Sequence, residues 1–379
     1  MLKVKEEEED DNGGNNSNKA LIDGFGRVAR KLRLSVTDRC NMQCIYCMPR
    51  NTDKNDKTGS SDESIAKKRW WLAKDEVLSY EEFLRISRIM AQLGIEKIRI
   101  TGGEPLLRPG VEELVAGLSK IKGIRSISMT TNGLFLGEKA DQLKRCGLQS
   151  VNISLDTFKA ARFKAMCGID GLHKVLNSIY ASENAGLKVK INTVVVRGWN
   201  DQEVIDFARF ARETGHVVRF IEFMPLDGSG IWSPDLVVSK SEIISRIRNE
   251  IGDIIEVSGI FENEDVKVND DDDYDNGSAP AKLYSFTDRK GIVGFIPSMT
   301  EPFCAQCDRM RITSDGRLLT CLFENPGYDI RNLLRNGKTD QEIANYILEC
   351  TRRKPEGVVS IIRSKALKPT LNLMHTIGG

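Results

Sequence analysis

The chain has 379 residues, of which 55 are basic and 54 acidic, and its net charge is +1. Such a balanced chain has no general electrostatic attraction for nucleic acid or for an anionic membrane. It contains no apolar run near the roughly 20 residues that cross a bilayer, and its acidic start is unlike a secretion or mitochondrial targeting signal. Nine cysteines, six of them in two clusters, indicate metal binding in a reducing compartment. We therefore predict a cytoplasmic protein with no membrane and no nucleic-acid partner.

Three polar segments are predicted to lie outside the folded core. Residues 1–19 are acidic and rich in asparagine, which favours a disordered tail. Residues 51–69 form a polar loop, and residues 261–281 form an acidic, flexible excursion that lacks the residue spacing of an EF-hand. We divide the remainder into a barrel region at 20–235 and a C-terminal domain at 236–379.

Short β-branched runs alternate with longer amphipathic runs, which predicts parallel strands joined by crossover helices. The clearest helix begins with a capping box formed by Ser79 and Glu82 and ends at Gly94. The whole pattern is (β/α)6, an α/β fold. The six predicted strands are residues 31–37, 97–102, 126–132, 150–156, 189–196 and 217–225.

One face of the predicted sheet is polar and partly cationic. A solvent-exposed face is the simpler interpretation, but crossover helices normally cover the outside of such a sheet. The polar face would then line a barrel lumen, where unpaired charges are costly, so we expect an anionic polar ligand to fill it. The polar side chains are Arg33, Ser35 and Thr37 in the first strand, Arg99 and Thr101 in the second, Asn152, Ser154 and Asp156 in the fourth, and Lys190 and Asn192 in the fifth.

The first cysteine trio, Cys40, Cys44 and Cys47, follows the first strand with the spacing C-x3-C-x2-C. This is the carboxyl end of the strand, where barrel active sites gather. Three thiolates can hold three irons of a 4Fe-4S cube and leave the fourth iron open to a small molecule. Zinc with a distant fourth ligand is the alternative, but the three histidines lie far from both clusters in sequence, which favours iron-sulfur.

The second cysteine trio, Cys304, Cys307 and Cys321, has the spacing C-x2-C-x13-C. A zinc ribbon would need a fourth thiolate, for which Cys350 is the remaining downstream candidate. Nearby arginines alternate along an extended segment and would therefore face the same way, which indicates an anionic substrate beside the metal. These arginines are Arg309 and Arg311. We assign Cys146, Cys167 and Cys350 to core or surface positions.

The first trio, with Tyr46 before its last cysteine, and the run TGGEP at 101–105 together resemble the radical S-adenosylmethionine superfamily. The resemblance implies a partial (β/α)6 TIM-type barrel. It also implies a 4Fe-4S cluster whose open iron binds the amino and carboxylate groups of S-adenosylmethionine. One electron from that cluster then produces a 5'-deoxyadenosyl radical. The glycines of the run would let the backbone approach the methionine amino group.

From about Ala20 onward the chain resembles the GTP 3',8-cyclase family, also known as molybdenum cofactor biosynthesis protein A. The motifs are LRLSVTDRCNMQCIYCMP, KIRITGGEPLLR, MTTNG, NISLD, FIEFMPL, FCAQCDRMRIT and a terminal Gly-Gly. The resemblance implies a second 4Fe-4S cluster on the second trio, in a C-terminal extension that closes the barrel. It assigns S-adenosylmethionine contacts to Tyr46, Gly103, Ser154 and Met224, GTP contacts to Arg33, Arg99, Thr130, Lys190, Arg309 and Arg311, and a catalytic tail to Gly378 and Gly379.

The implied reaction is the cyclisation of GTP, the first step of molybdenum cofactor biosynthesis. The radical removes the ribose H3', the C3' radical adds to C8 of guanine, and reduction and protonation give 3',8-cyclo-7,8-dihydro-GTP. The implied partners are GTP, cyclic pyranopterin monophosphate synthase as the downstream enzyme, and an electron donor, with a homodimer as one option. Two alternatives stay open: another radical S-adenosylmethionine enzyme with an auxiliary cluster, and a zinc-binding interaction module.

Metal content separates these alternatives. We expect anaerobically purified protein to be brown and to hold about eight irons per chain, because two four-iron cubes are predicted. Elemental analysis with an absorption spectrum measures this. A colourless protein that contains zinc would instead support the interaction module.

Overall fold

The structure is a computed structural model. It describes residues 20–48, 71–226, 230–257, 262–263, 266–267, 279–324, 326–358, 360 and 374–378. The predicted tail at 1–19, the predicted loop at 51–69 and the last glycine, Gly379, lie outside the described residues. Within the described part of the chain, no helix is long and apolar enough to cross a membrane.

Six neighbouring parallel strands form the centre of a twelve-stranded sheet. Each predicted strand is present close to its predicted bounds, which confirms the (β/α)6 pattern. The strands are β1 (Lys31–Ser35), β2 (Lys97–Thr101), β3 (Ser126–Thr131), β4 (Ser150–Ser154), β5 (Lys188–Val195) and β6 (Val217–Glu222).

Helices follow the strands as crossovers, and the first of them has the predicted capping box. The Ser79 hydroxyl accepts a hydrogen bond from Glu82 N at 3.2 Å, and the Glu82 carboxylate accepts one from Ser79 N at 2.6 Å. The described helices are α1 (Tyr80–Gln92), α2 (Val111–Ser119), α3 (Leu136–Arg145), α4 (Ala160–Cys167), α5 (Leu172–Asn184), α6 (Val204–Thr214), α7 (Lys240–Glu250), α8 (Arg331–Arg335), α9 (Asp340–Arg352) and α10 (Met374–Ile377).

The C-terminal part of the chain extends both edges of the central sheet. The remaining strands are β7 (Ile254–Glu256), β8 (Glu262–Asn263), β9 (Val266–Lys267), β10 (Lys282–Phe286), β11 (Ile292–Ile296), β12 (Arg309–Ile312), β13 (Arg317–Leu319) and β14 (Tyr328–Asp329). Strand β12 pairs in parallel with β1, and β11 pairs in parallel with β6. Strands β10 and β7 continue one edge and β13 and β14 the other, all antiparallel.

Most of the predicted acidic excursion at 261–281 lies outside the described residues, and the described part contains two short strands. Strands β8 and β9 form an antiparallel pair of their own, with Glu262 opposite Lys267. At the other end, Ala281 is buried against Leu283 and Ile292.

The two faces of the central strands differ as their alternation predicted. Leu32 and Leu34 of β1 and Ile98 and Ile100 of β2 are buried in the main hydrophobic core, to which the crossover helices contribute their apolar faces. Successive side chains of a strand point to opposite faces. The intervening polar side chains therefore point away from the helices, into the concave side of the sheet.

Candidate active site in the lumen of the partial barrel

A single cavity, here called the lumen, is lined by side chains from β1 to β6 and from β11 and β12. The polar face that strand periodicity predicts thus lines this cavity. Its strand-borne polar lining includes Arg33, Arg99, Thr101, Thr130, Thr131, Ser154, Asn192, Arg219, Glu222, Arg309 and Arg311.

Strand register brings the cationic side chains of the lumen together. Arg33 of β1 lies opposite Arg99 of β2 on one side and Arg311 of β12 on the other. Burial, followed by the charges of Arg311, Arg99 and Arg309, lowers the pKa of Arg33 well below its usual value. Burial and then Arg309 lower the pKa of Arg311 to about 10. The lumen therefore favours an anionic ligand, which would relieve this crowding.

Arg219 of β6 is a buried member of the lumen that sequence reasoning missed. Its side chain is only 2% exposed, and its guanidinium donates to Asn192 Oδ1 at 3.0 Å and to Asn152 Oδ1 at 2.5 Å. The two asparagines belong to neighbouring strands, and their side-chain amides fix the position of the Arg219 guanidinium group. The available signal was the alternation of Arg219 with Val218 and Phe220, as in β1.

The first trio lines the lumen just beyond the carboxyl end of β1. Its loop is bonded to the end of α4, because Gln43 N donates to Cys167 O at 2.9 Å. Burial and then the charges of Cys44 and Cys40 raise the pKa of Cys47, so the three thiols lie within electrostatic reach of one another. Among the described residues, no three His, Cys, Asp or Glu side chains lie close enough together to hold a single metal ion. Three thiols on one wall nevertheless fit the ligands of a 4Fe-4S cube with one open iron.

Gly103 follows β2 and brings the backbone against the segment that leads to Cys40. Gly103 N donates to Thr37 O at 2.8 Å, and Glu104 N donates to Arg39 O at 2.8 Å. A Cβ atom at Gly103 would collide with the Arg39 backbone, so only glycine fits at this contact.

The Glu104 carboxylate ties the end of β2 to the end of β3. It accepts from Thr131 Oγ1 at 2.8 Å, Asn132 N at 2.7 Å and Leu106 N at 3.0 Å. Burial raises the pKa of Glu104 to about 7, although these hydrogen bonds act in the opposite direction. The glutamate of the TGGEP run therefore has a structural role: its hydrogen bonds hold the ends of β2 and β3 together near the first trio.

Tyr46 is held against the lumen by Asp156. The Tyr46 hydroxyl donates to Asp156 Oδ2 at 2.5 Å, and Val194 N donates to Asp156 Oδ1 at 2.9 Å. Burial raises the pKa of Asp156 to about 6, against the effect of both hydrogen bonds. The sequence placed Asp156 on the polar face but did not assign it a partner.

Cys167 lies beside the first trio and lines the lumen with it. Hydrogen bonding to Cys167, followed by burial, raises the pKa of Cys44 well above its usual value. The sequence had left this thiol as an ordinary core or surface residue. No local motif could have paired it with Cys44, since the contact depends on how α4 packs against the cysteine loop.

The cysteines of the second trio do not line the lumen themselves. Their sequence neighbours Phe303 and Leu322 do, so the trio lies behind the lumen wall. Burial raises the pKa of Cys307, but the charges of Arg309 and Lys354 outweigh this effect and lower it to about 7. For Cys321, burial and then the nearby Cys307 and Cys304 raise the pKa to about 11. The influence of Cys304 and Cys307 on Cys321 places the three thiols near one another.

The C-terminal tail reaches the lumen at the strand ends. Arg311 donates to the carbonyl oxygens of Ile377 and Gly378, and the Ser35 hydroxyl donates to Thr376 O at 2.8 Å. Gly378 has a positive φ of 76°, and a Cβ atom there would collide with the Thr101 side chain. Glycine is thus required at this position of the tail.

Most predicted site residues meet in the lumen. Lys190 is the exception among the proposed GTP contacts: it is buried on β5 opposite Asn152, and it is not one of the residues that line the lumen. The predicted residues that line it are Cys40, Cys44, Cys47, Tyr46, Gly103, Ser154, Met224, Arg33, Arg99, Thr130, Arg309 and Arg311.

The fold and this site define a class of protein. Residues 34–211 match the Radical SAM superfamily model, and residues 216–359 match the Molybdenum Cofactor Synthesis C model. The crystal structure of Streptococcus suis SuiB superposes with a TM-score of 0.55 at 15% identity, covering 90% of this chain and 69% of SuiB. That likeness concerns the fold alone. The class follows from the sequence match, which gives the chain a radical S-adenosylmethionine domain.

Curated relatives narrow the class. The GTP 3',8-cyclase of Thermodesulfovibrio yellowstonii is 40% identical over 358 residues, which cover 94% of this chain and 99% of the relative. The GTP 3',8-cyclase of Geobacter sulfurreducens is 41% identical over 315 residues, which cover 83% of this chain and 86% of the relative. Human molybdenum cofactor biosynthesis protein 1 is 37% identical over 91% of this chain, which spans about 50% of the human protein. The chain belongs to the GTP 3',8-cyclase family.

The Tyr46–Asp156 hydrogen bond can be tested by Tyr46→Phe. The substitution leaves a buried carboxylate oxygen without this donor. We therefore expect the free energy of unfolding to fall by about 1–3 kcal/mol. Urea unfolding measures this change. Phe158→Leu, a partly buried apolar substitution outside the lumen, serves as the control for altered packing. An unchanged urea midpoint in Tyr46→Phe would contradict the assigned role of the hydrogen bond.

Proposed function

We propose that this chain converts GTP into 3',8-cyclo-7,8-dihydro-GTP in a radical S-adenosylmethionine reaction, the first step of molybdenum cofactor biosynthesis. The observation that carries the proposal is the composition of one cavity. Three thiols that suit a 4Fe-4S cluster line it beyond the carboxyl end of β1, and four arginines line it along β1, β2 and β12. A radical source and an anion-binding surface thus share one enclosed space.

S-adenosylmethionine binds beside the first trio in this proposal. The cluster, when bound, supplies the electron that releases a 5'-deoxyadenosyl radical from S-adenosylmethionine. The Gly103 backbone would lie against the cofactor amino group, and its lack of a side chain permits the close contact with Arg39 that holds it there. Tyr46, Ser154 and Met224 also line the lumen and would orient the cofactor.

GTP occupies the cationic part of the lumen. Its phosphates receive charge-assisted hydrogen bonds from Arg33, Arg99, Arg309 and Arg311, which relieves the repulsion among these side chains. Thr130 completes the proposed contacts from the lumen wall. The proposed contact of Lys190 would require its side chain to turn from its buried position on β5 into the lumen. The protein then holds the ribose H3' toward the cofactor and excludes water, so its main contribution is positioning.

We further propose that Cys304, Cys307 and Cys321 would hold a second 4Fe-4S cluster, whose open iron would bind the guanine edge. The tail residues Gly378 and Gly379 act in catalysis, supported by the contact between Gly378 and Arg311. The product passes to cyclic pyranopterin monophosphate synthase, and a separate electron donor reduces the clusters. A homodimer is one option for assembly. The proposed domain boundary at 235/236 separates the barrel from the extension that carries the second cluster.

Product analysis tests the function. Reconstituted protein incubated anaerobically with GTP, S-adenosylmethionine and a reductant should yield 5'-deoxyadenosine together with 3',8-cyclo-7,8-dihydro-GTP, which mass spectrometry and NMR identify. ATP in place of GTP is the control and should give no cyclised nucleotide. Formation of 5'-deoxyadenosine without a cyclised product would overturn the cyclase assignment while retaining the superfamily.

Arg309→Ala tests the anion-binding surface. A lost charge-assisted hydrogen bond of about 1.5–3 kcal/mol corresponds to a rise in KM for GTP of about 10- to 100-fold. Steady-state kinetics measure this, and uncoupled cleavage of S-adenosylmethionine should persist. Arg317→Ala, which removes a partly exposed arginine paired with Asp315, is the matched control. Loss of both activities in Arg309→Ala would show that Arg309 is structural.

A further inference from the structure

Two buried basic side chains donate hydrogen bonds to the turn that carries Cys304 and Cys307. Arg27 precedes β1 and is 8% exposed, while Lys354 follows α9 and is 4% exposed. Neither residue lines the lumen. Both side chains end on backbone carbonyl groups of the second trio, although they come from opposite ends of the chain.

Arg27 joins three segments through one guanidinium group. Its Nη1 donates to Cys304 O at 2.8 Å and to Glu356 O at 2.6 Å, and its Nη2 donates to Pro355 O at 2.7 Å. Its Nε donates to Asp23 Oδ2 at 2.6 Å. The planar fork of arginine suits this set of divergent acceptors, which the single nitrogen of lysine cannot reach together.

Lys354 holds the other end of the same turn. Its Nζ donates to Cys307 O at 2.8 Å and to Arg309 O at 3.1 Å. Both of these acceptors are neutral carbonyl groups, so the hydrogen bonds leave the positive charge of the ammonium group next to the Cys307 backbone. Lys354 therefore differs from Arg27, whose charge is balanced by Asp23.

The segment after Lys354 packs directly on the first cysteine of the trio. A Cβ atom added to Gly357 would lie 2.5 Å from Cys304 Cβ and 2.9 Å from its Sγ. Any side chain at Gly357 would therefore displace Cys304. Arg27 bonds to the two residues before this glycine, so the contact and the hydrogen bonds reinforce each other.

We propose that Arg27 and Lys354 are positioning residues for the second iron-sulfur site. Arg27 fixes the Cys304 end of the turn by geometry, and Lys354 fixes the Cys307 end and places a positive charge behind the cluster. The inference rests on the proposed second cluster. The turn is braced by protein groups alone, so its ligands are ordered before iron arrives. A fixed positive charge also favours the reduced, more negative cluster, since net charge and hydrogen bonding set such potentials.

Iron content tests the role of Arg27. In the full chain, Arg27→Gln and Arg27→Lys should each lower the iron from about eight to about four per chain. The remaining reduced-cluster EPR signal should respond to S-adenosylmethionine, because it belongs to the first trio. Arg30→Gln is the matched control, since Arg30 lies three residues away with 48% of its side chain exposed.

The outcomes of the iron measurement are distinct. Thermal unfolding identifies the variants that fold. If Arg27→Gln does not fold, the iron content of Arg27→Lys tests the role of Arg27. Full iron content with an unchanged second-cluster signal in Arg27→Lys would overturn the role of Arg27. Only four irons in the unmodified chain would overturn the proposed second cluster and this inference with it.

The midpoint potential of the second cluster tests Lys354. It is measured in full-length protein in which the first trio is replaced by alanine, so that one cluster alone is titrated. Lys354→Met should retain iron and shift the midpoint to a more negative value, while Lys354→Arg stays near the starting value. Arg353→Met is the control, because it removes a charge from the adjacent side chain, which is 62% exposed. Equal midpoints in Lys354→Met and Arg353→Met would overturn the charge role.

Discussion

Like charges on neighbouring parallel strands are the constraint on which the rest of this structure depends. Register places Arg33 between Arg99 and Arg311 on the concave face of the sheet. Such a row is unfavourable when it is buried without an anion. The fold therefore cannot fill its lumen with apolar side chains, and a space suited to an anionic substrate remains open along several strands.

Around this space, polar groups at the strand ends are held by hydrogen bonds to the backbone and to each other. Glu104 ties the end of β2 to the end of β3, and Asp156, two residues after β4, accepts the Tyr46 hydroxyl. The first trio thus sits on a braced edge of the sheet, close to the arginines but not among them. This separation matters for function, because a reactive radical and its target must be placed at a defined distance, and rigid elements do this better than mobile loops.

The C-terminal part contributes to the lumen rather than forming an independent lobe. Strand β12 adds Arg309 and Arg311 beside β1, and β11 extends the opposite edge. The tail then returns to Arg311 through the carbonyl group of Gly378. If Arg311 binds the substrate as proposed, one guanidinium group would link substrate binding to the position of the tail, because it has further donors for a ligand.

The sequence by itself determined the six central strands, the capping box of α1, the polar face and both cysteine trios, because these depend on local periodicity and spacing. Tertiary structure decided which distant groups meet them. Arg219 finds Asn152 and Asn192 only when three strands align, and Cys167 reaches Cys44 only through the packing of α4. Arg27 and Lys354 carry no motif, yet both bond to the second trio. Such contacts join residues from separate segments, and a pattern within one segment contains no information about the carbonyl groups of another.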